Sequence, residues 1–426
     1  MAVILFGGFI LLMILGVPAV FALTAATIAS LFWVGLGNAL YIVPQQILDG
    51  VENDTLLAIP FFILAGNLMN LTGVSDRIFA FSTALVGRFR GGLAQVNVLA
   101  SLIFAGSSGS ALADISGVGT IEIEAMRKRG YPLAYSGALT IVTSMLGPMI
   151  PPSIGLIVYA YLSGTSVARL FLATIVPGLL LALFLMIYVA VSARRLNFPR
   201  QEPAGLGEIV NTGFHGIGAL VAPAIILGSI LTGWVTASEG GVLASLYTLL
   251  LGLCYRTLTW SGIYQALRST AFSSVFILMI TGVSAVVGWL IAIEQLPQGM
   301  ADLIVNVVDY KPAFILILVL FLLVIGCFIE SVPAKIILVP VLLPILDHFG
   351  IDRIQFGVML TLALSIGIAT PPMGVGLFIV ARIANISIER LAVAVLPMMI
   401  PLVVLLLLLS YVPALSLFLP NLLLGP

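Results

Sequence analysis

Four short stretches of this chain could do chemistry, and they are of two kinds. The first kind is a polar tip between apolar arms: Gly106-Ser107-Ser108-Gly109-Ser110 and, further on, Gly326-Cys327-Phe328-Ile329-Glu330-Ser331. The second is a break marked by a proline pair: Gly147-Pro148-Met149-Ile150-Pro151-Pro152-Ser153 and Gly367-Ile368-Ala369-Thr370-Pro371-Pro372-Met373-Gly374. Adjacent prolines remove two backbone donors and cannot sit inside an ordinary helix, although they can open a new one. Each break therefore predicts two half-helices. Carbonyls at the end of the first half, near Gly147 and Gly367, carry partial negative charge and attract a cation. Amides at the start of the second half carry partial positive charge and attract a carboxylate.

These features predict two cation sites, one between the tip at 107–110 and the break at 147–151, the other between the tip at 326–331 and the break at 367–373. Backbone carbonyls with serine and threonine hydroxyls, lacking a carboxylate cage, suit a monovalent ion such as Na⁺ better than Ca²⁺ or Mg²⁺. Nothing in the pattern suits a transition metal, and no organic cofactor is expected. A substrate would sit between the two tips, with Gly109, Ser153, Glu330 and Ser331 as the residues to touch it. Glu330 carries the most weight, because an ionisable group at membrane depth is costly to keep. The competing readings are structural: a small-residue packing motif at the first tip and plain proline kinks at the breaks.

The elements that must position these residues are announced by a repeat. Gly106, Gly130, Gly137, Gly147, the pair Pro151-Pro152 and Pro177 map without a gap onto Gly326, Gly350, Gly357, Gly367, Pro371-Pro372 and Pro397, 220 positions later. Paired breakers at corresponding places in two halves of an apolar chain point to a transporter's binding site. The halves differ where the chemistry lies: Ser108 stands opposite Phe328, Gly109 opposite Ile329 and Ile150 opposite Thr370. Two equivalent sites are not expected.

Composition places the whole chain in a membrane. It is 61% hydrophobic and 8% charged, where a soluble domain carries roughly 25% charged residues. Continuous apolar runs, not alternating strands, make it helical and not a barrel. About ten spans are expected, near residues 2–16, 18–38, 56–72, 131–163, 166–193, 213–232, 238–255, 270–292, 354–384 and 391–418. The N-terminal run lacks a basic start and continues past Gly16-Val17-Pro18, so it reads as a first span and not a cleaved signal. The arms at 92–105 and 312–325 reach only about 21 Å each, short of the ~30 Å apolar core, and so form two re-entrant hairpins. Residues 1–200 make a first repeat with its hairpin at 92–128 facing the cytoplasm. Residues 201–212 are a polar linker. Residues 213–426 make a second, inverted repeat with its hairpin at 312–347 facing the periplasm. The resulting fold is all-α, with broken helices at the midplane.

The positive-inside rule supports this topology. Thirteen Lys and Arg residues fall on the cytoplasmic side, from Arg77 to Arg390; Arg169, Lys311 and Arg353 fall outside, and Lys335 lies in the second hairpin. Balanced charge, with 17 basic and 17 acidic residues, excludes a nucleic-acid partner. Cys254 and Cys327 sit in apolar stretches, which argues against a disulfide. The amphipathic stretches 76–88 and 300–310 read equally well as surface helices and as loops. Asp114, Glu239 and Glu294 are candidate buried acids, with a structural hydrogen bond favoured over a proton relay. His215 and His348 are expected at the surface, and Trp33, Trp234 and Trp289 near span ends.

Taken together, the inverted repeats, two hairpins, the Gly-Ser-Ser-Gly-Ser tip and the Thr-Pro-Pro-Met-Gly break resemble the large membrane subunit of tripartite ATP-independent periplasmic (TRAP) transporters, closest to the sialic-acid-transporting members. The resemblance covers essentially the whole chain. It implies Na⁺-driven uptake of an organic acid across a bacterial inner membrane by an elevator motion. It also implies two partners, a soluble periplasmic binding protein and a separate small four-helix membrane subunit. The family's sodium sites map onto Ser107, Ser108, Ser110, Gly147, Ile150 and Pro151, and onto Gly326, Gly367, Thr370 and Met373. The first lacks a threonine equivalent to Thr370. Two rival readings exist. A self-sufficient Na⁺/dicarboxylate-type symporter would need no binding protein, but its usual Ser-Asn-Thr tips are missing. A rhomboid-type protease would use the Gly-x-Ser-Gly match at 106–109, but needs a histidine beside the serine.

Overall fold

The computed structural model describes residues 1, 3–196, 198, 203–294, 310–371 and 374–425, apart from the side chain of Ala219. Helices α1 (Val3–Ile14) and α2 (Ala19–Trp33) open the chain, followed by α3 (Ile42–Val51), α4 (Ala58–Leu71) and α5 (Val74–Val86). The first hairpin is α6 (Gly92–Ser108), α7 (Ala111–Ser116) and α8 (Val118–Lys128). A broken span follows as α9 (Leu133–Met149) and α10 (Ile154–Ser163), then α11 (Val167–Arg195). The second half runs through α12 (Leu206–Leu231), α13 (Ala237–Cys254) and α14 (Trp260–Ile293). Its hairpin is α15 (Lys311–Phe328) and α16 (Ser331–His348), and its broken span is α17 (Arg353–Gly367) and α18 (Val375–Ala384). Helices α19 (Ile388–Tyr411) and α20 (Ala414–Leu424) close the fold.

The helices begin and end where local chemistry dictates. Ser166 caps α11 by accepting from the Arg169 amide, Asp352 caps α17 by accepting from the amides of Ile354 and Gln355, and Thr236 with Glu239 forms a capping box on α13. These groups satisfy donors that a helix start leaves open. Among the described residues six helices are long and apolar enough to cross a membrane, and three bent pairs could each make another span; the six include both arms of the second hairpin, α15 and α16, of 18 residues each, so the arm expected at 312–325 is longer than its apolar run suggests. One of these pairs is α9 with α10, bent by 44° at the proline break, and another is α4 with α5, bent by 70°. Further apolar helices, α6 and α17 among them, are shorter.

Two packing groups emerge. Helices α2, α3, α4, α13 and α14 pack on one another, with α14 crossing the first three and α13 lying along α4. The hairpins and broken spans form the other group: α6 packs on α9, α15 on α17, and α10 on α16. The last of these contacts joins the first half's broken span to the second half's hairpin. Phe171, Tyr159, Phe356 and Lys335 are among the largest side chains fully buried there.

Four expectations change in detail. The stretch 76–88 is helical up to Val86, as part of α5, which buries Val74, Ile78 and Ala84. The stretch 300–310 lies outside the described residues except Tyr310. Helix α14 begins ten residues before the apolar run, at a Trp260 start capped by Thr259. Helix α3 was not expected; it docks on α14 where Gly50 meets Ala285, and a Cβ at Gly50 would stand 2.5 Å from the Ala285 methyl.

Candidate functional site

The first tip is a two-residue interruption between α6 and α7. Gly109 adopts the left-handed conformation (φ +62°) and a Cβ there would lie 2.4 Å from the Pro152 carbonyl oxygen. Both facts require glycine, and together they seat the tip directly against the proline break. Ser110 then runs extended (φ −143°, ψ 126°) into α7.

Beside it three oxygen-bearing groups converge on Gly147. A Cβ at Gly147 would stand 2.6 Å from Asp114 Oδ2 and 3.1 Å from the Ser110 carbonyl oxygen. The Ser108 hydroxyl donates to Asp114 Oδ1, and the Ser110 amide points at Ser108 Oγ at 3.5 Å. Asp114 is buried, and its Oδ2 has no hydrogen-bond partner; nor does the buried Ser107 Oγ. A carboxylate oxygen left without a partner in low dielectric is disfavoured, and a bound cation is one way, besides a proton, to relieve it. Ile150 has left the helix (φ −94°, ψ 127°), and its side chain is lodged against Gly178 of α11, where a Cβ would stand 2.3 Å from its Cδ1. What Ile150 can offer the cluster is therefore its backbone.

The second tip and break meet more closely still. A Cβ on Gly367 would lie 2.0 Å from the Gly326 carbonyl oxygen, and one on Gly326 would lie 3.3 Å from the Leu364 carbonyl oxygen. Helices α15 and α17 thus cross backbone to backbone, with carbonyls gathered at the crossing. Thr370 follows three residues later, its hydroxyl donating to the Ile366 carbonyl at 2.9 Å. The amides of Gly374 and Gly376 donate back to the carbonyls of Thr370 and Ile368, each at 3.1 Å, which closes the break into a compact turn. Met373 lies outside the described residues. The repeat is unequal here: the position matching Asp114 is Ala334.

Between the two tips lies a cleft with a volume of ≈ 100 Å³, lined by Gly109, Ser110, Gly155, Glu330, Ser331 and Lys335, with others. Glu330 precedes α16 and is exposed to this space. Ser153 precedes α10 but does not cap it; its hydroxyl is buried and has no partner. All four residues expected to touch substrate are thus at or beside the cleft.

The sequence reading missed part of this arrangement. Asp114 accepts the structural hydrogen bond expected of it, from Ser108, and its second oxygen faces the first cluster. Lys335 had been placed only as a member of the second hairpin. Both lie about one helical turn beyond a tip, a spacing that could have flagged them. Glu122, which had not been weighed, is fully buried, with Ser101 donating to it at 3.4 Å. Glu239 is not buried: it is the exposed third residue of the α13 capping box, reached by the Thr236 amide at 2.7 Å. Glu294, at the end of α14, is half-buried. His215 and His348 are exposed.

Comparison with known proteins places this arrangement among relatives. A family model described as "Tripartite ATP-independent periplasmic transporter, DctM component" matches residues 6–415. The chain is 40% identical to the sialic acid TRAP transporter large permease protein SiaM of Vibrio cholerae, over 98% of each chain. It is 37% identical to the sialic acid TRAP transporter permease protein SiaT of Haemophilus influenzae, over 97% of this chain and 67% of that one. It is 36% identical to the 2,3-diketo-L-gulonate TRAP transporter large permease protein YiaN of Escherichia coli, over 97% of each. Among solved structures it is similar to the YdaH transporter of Alcanivorax borkumensis, with a TM-score of 0.60 at 17% identity over 88% of each chain. At that identity the likeness is one of fold.

Proposed function

The chain belongs to the DctM-component family of tripartite ATP-independent periplasmic transporters, and we propose that, as their large permease, it drives uptake of an organic acid, sialic acid in the first instance, with a Na⁺ gradient. It is a multi-pass membrane transporter and not an enzyme, so the protease reading falls; the two histidines, His215 and His348, are also both exposed, whereas Ser107 and Ser108 of the tip are buried. In the proposed cycle a soluble binding protein delivers the acid at the periplasmic face of the inner membrane. A small four-helix subunit anchors the scaffold, and the hairpins with the broken spans move as an elevator.

The observation that carries this reading is the pair of tip-and-break clusters. Each gathers carbonyl oxygens where a helix has been interrupted, and the first adds the unpartnered oxygen of Asp114. Oxygen donors of this kind, buried beside a cleft, suit a small monovalent cation. Sliding is supported by the seam between α1 and the second hairpin. It is wholly apolar in character and holds cavities of ≈ 250 and ≈ 330 Å³, bordered by residues such as Phe9, Ile10, Ile325 and Ile329. Sialic acid as the cargo rests on what the names of SiaM and SiaT say of those relatives.

The test is reconstitution of the chain with its small subunit in proteoliposomes. Uptake of N-acetylneuraminate is expected only with an inward Na⁺ gradient and the binding protein present. Uptake without the binding protein would make the chain a self-sufficient symporter and overturn the tripartite reading.

A further inference from the structure

One charged group at the cleft is not used by either cation cluster. Lys335 lies in the second turn of α16, five residues past Glu330. Its side chain is fully buried, and Nζ has no hydrogen-bond partner. Among the described residues its ammonium forms no ion pair, Glu330 included. A buried ammonium without a partner is one of the more expensive arrangements a membrane protein can hold, and a methionine of similar length would fill the space without that cost. The fold even makes room for it. A Cβ at Gly155 would stand 2.6 Å from Lys335 Nζ, so the first turn of α10 is bare where the ammonium lies.

Apart from Glu330, the polar groups around it favour negative charge. The hydroxyl of Ser153 is buried and unpartnered. Helices α10 and α16 both start at this cleft: Ile154 and Gly155 line it from one, Ser331 and Val332 from the other. First-turn amides have no partner within their own helix and lie at the positive end of the dipole. Two helix starts, a free hydroxyl and a free ammonium thus face a space in which Glu330 is the acidic residue.

We propose that Lys335 receives the carboxylate of the transported acid, and that Gly155 is kept without a side chain so that the ammonium can reach it. The assignment rests on the transport reading above and deepens it. Charge would then be neutralised for the part of the cycle in which substrate is bound, and the empty carrier would hold an unpaired ammonium. Glu330, at the rim of the same cleft, favours an acid with one carboxylate and an uncharged body over a dicarboxylate. Hydroxyls at Ser110 and Ser331 suit a polyol body.

The experiment uses the purified permease with its small subunit, comparing wild type, Lys335→Met and Lys335→Arg. Thermal unfolding is followed without ligand and with N-acetylneuraminate, its methyl ester or succinate. Proteoliposome uptake of N-acetylneuraminate is measured alongside. The wild type is expected to be stabilised by the free acid more than by ester or succinate. Lys335→Met is expected to lose that discrimination and to slow uptake by about tenfold or more, the loss of a charge-assisted hydrogen bond. Lys335→Arg keeps the charge and should retain part of both. Without ligand, Lys335→Met should unfold at the same temperature as wild type or higher, because it removes a buried unpaired charge. A Met variant that still tells acid from ester overturns the assignment. So does one that is destabilised when empty, which would mark the ammonium as structural. If the acid stabilises the wild type but uptake ignores Na⁺, the coupling reading fails and Lys335 stands. If neither acid stabilises the wild type, the assignment fails whatever drives transport.

Discussion

A single methyl group on Gly367 probes the second cluster where its geometry is tightest. A Cβ there would stand 2.0 Å from the Gly326 carbonyl oxygen and 2.6 Å from the Gly326 Cα, and both atoms are backbone. No rotamer change relieves the clash. To reach ordinary contact at 3.4 Å the end of α15 must retreat from α17 by about 1.4 Å. Overpacking of this kind costs about 1–3 kcal/mol. If the crossing is where the cation binds, that cost falls chiefly on the cation-bound state, and Gly367→Ala should raise the Na⁺ concentration for half-maximal uptake by roughly 5- to 150-fold. The assay is Na⁺ titration of uptake by the reconstituted complex, with thermal unfolding of the same sample against Na⁺. Gly164→Ala is the control. Gly164 has φ +66° and open space around it, so alanine costs backbone strain of about 1 kcal/mol without touching a cluster. Its Na⁺ dependence should match the wild type. A folded Gly367→Ala protein with wild-type Na⁺ half-saturation would refute the argument for this site.

Three further outcomes are expected. Asp114→Asn preserves the Ser108 contact in shape but removes the charge facing Gly147, and should abolish Na⁺-dependent uptake while the protein still assembles, as judged by gel filtration with the small subunit. Thr370→Val should raise the Na⁺ half-saturation several-fold, about 1 kcal/mol for one hydroxyl ligand, and leave the unfolding temperature without Na⁺ nearly unchanged. Asp352→Ala removes the carboxylate oxygen that accepts from two amides at the start of α17 and should lower stability by about 1 kcal/mol, read by thermal unfolding, with Na⁺ half-saturation intact.

Much of this architecture is legible in the chain because its breakers act locally. Proline deletes a donor wherever it stands, and Gly109 takes a left-handed turn that other residues resist, so the interruptions at 109–110 and 150–153 fall where these residues place them, and that at 329–330 falls at the matching step of the repeat. The repeat then pairs these interruptions across the halves. What local chemistry does not carry is which side chain arrives from another element. Asp114 meets Gly147, and Lys335 meets Gly155, through tertiary packing alone. Helix α3 escaped notice for a similar reason, since its contact with α14 rests on Gly50 and Gly282, small residues that look unremarkable in sequence. The early start of α14 reflects a stretch in which exposed Ser261, Gln265, Arg268 and Ser269 interrupt the apolar pattern, so that apolar runs do not register it.

The central claim is that cations held at the two tip-and-break clusters move with the substrate. The most direct measurement is radiolabelled Na⁺ influx into proteoliposomes containing the complex, with the binding protein added either empty or loaded with N-acetylneuraminate. Substrate-dependent Na⁺ influx is predicted for the wild type, with a sharp loss in Gly367→Ala. Accumulation of N-acetylneuraminate with no accompanying Na⁺ influx would contradict the account.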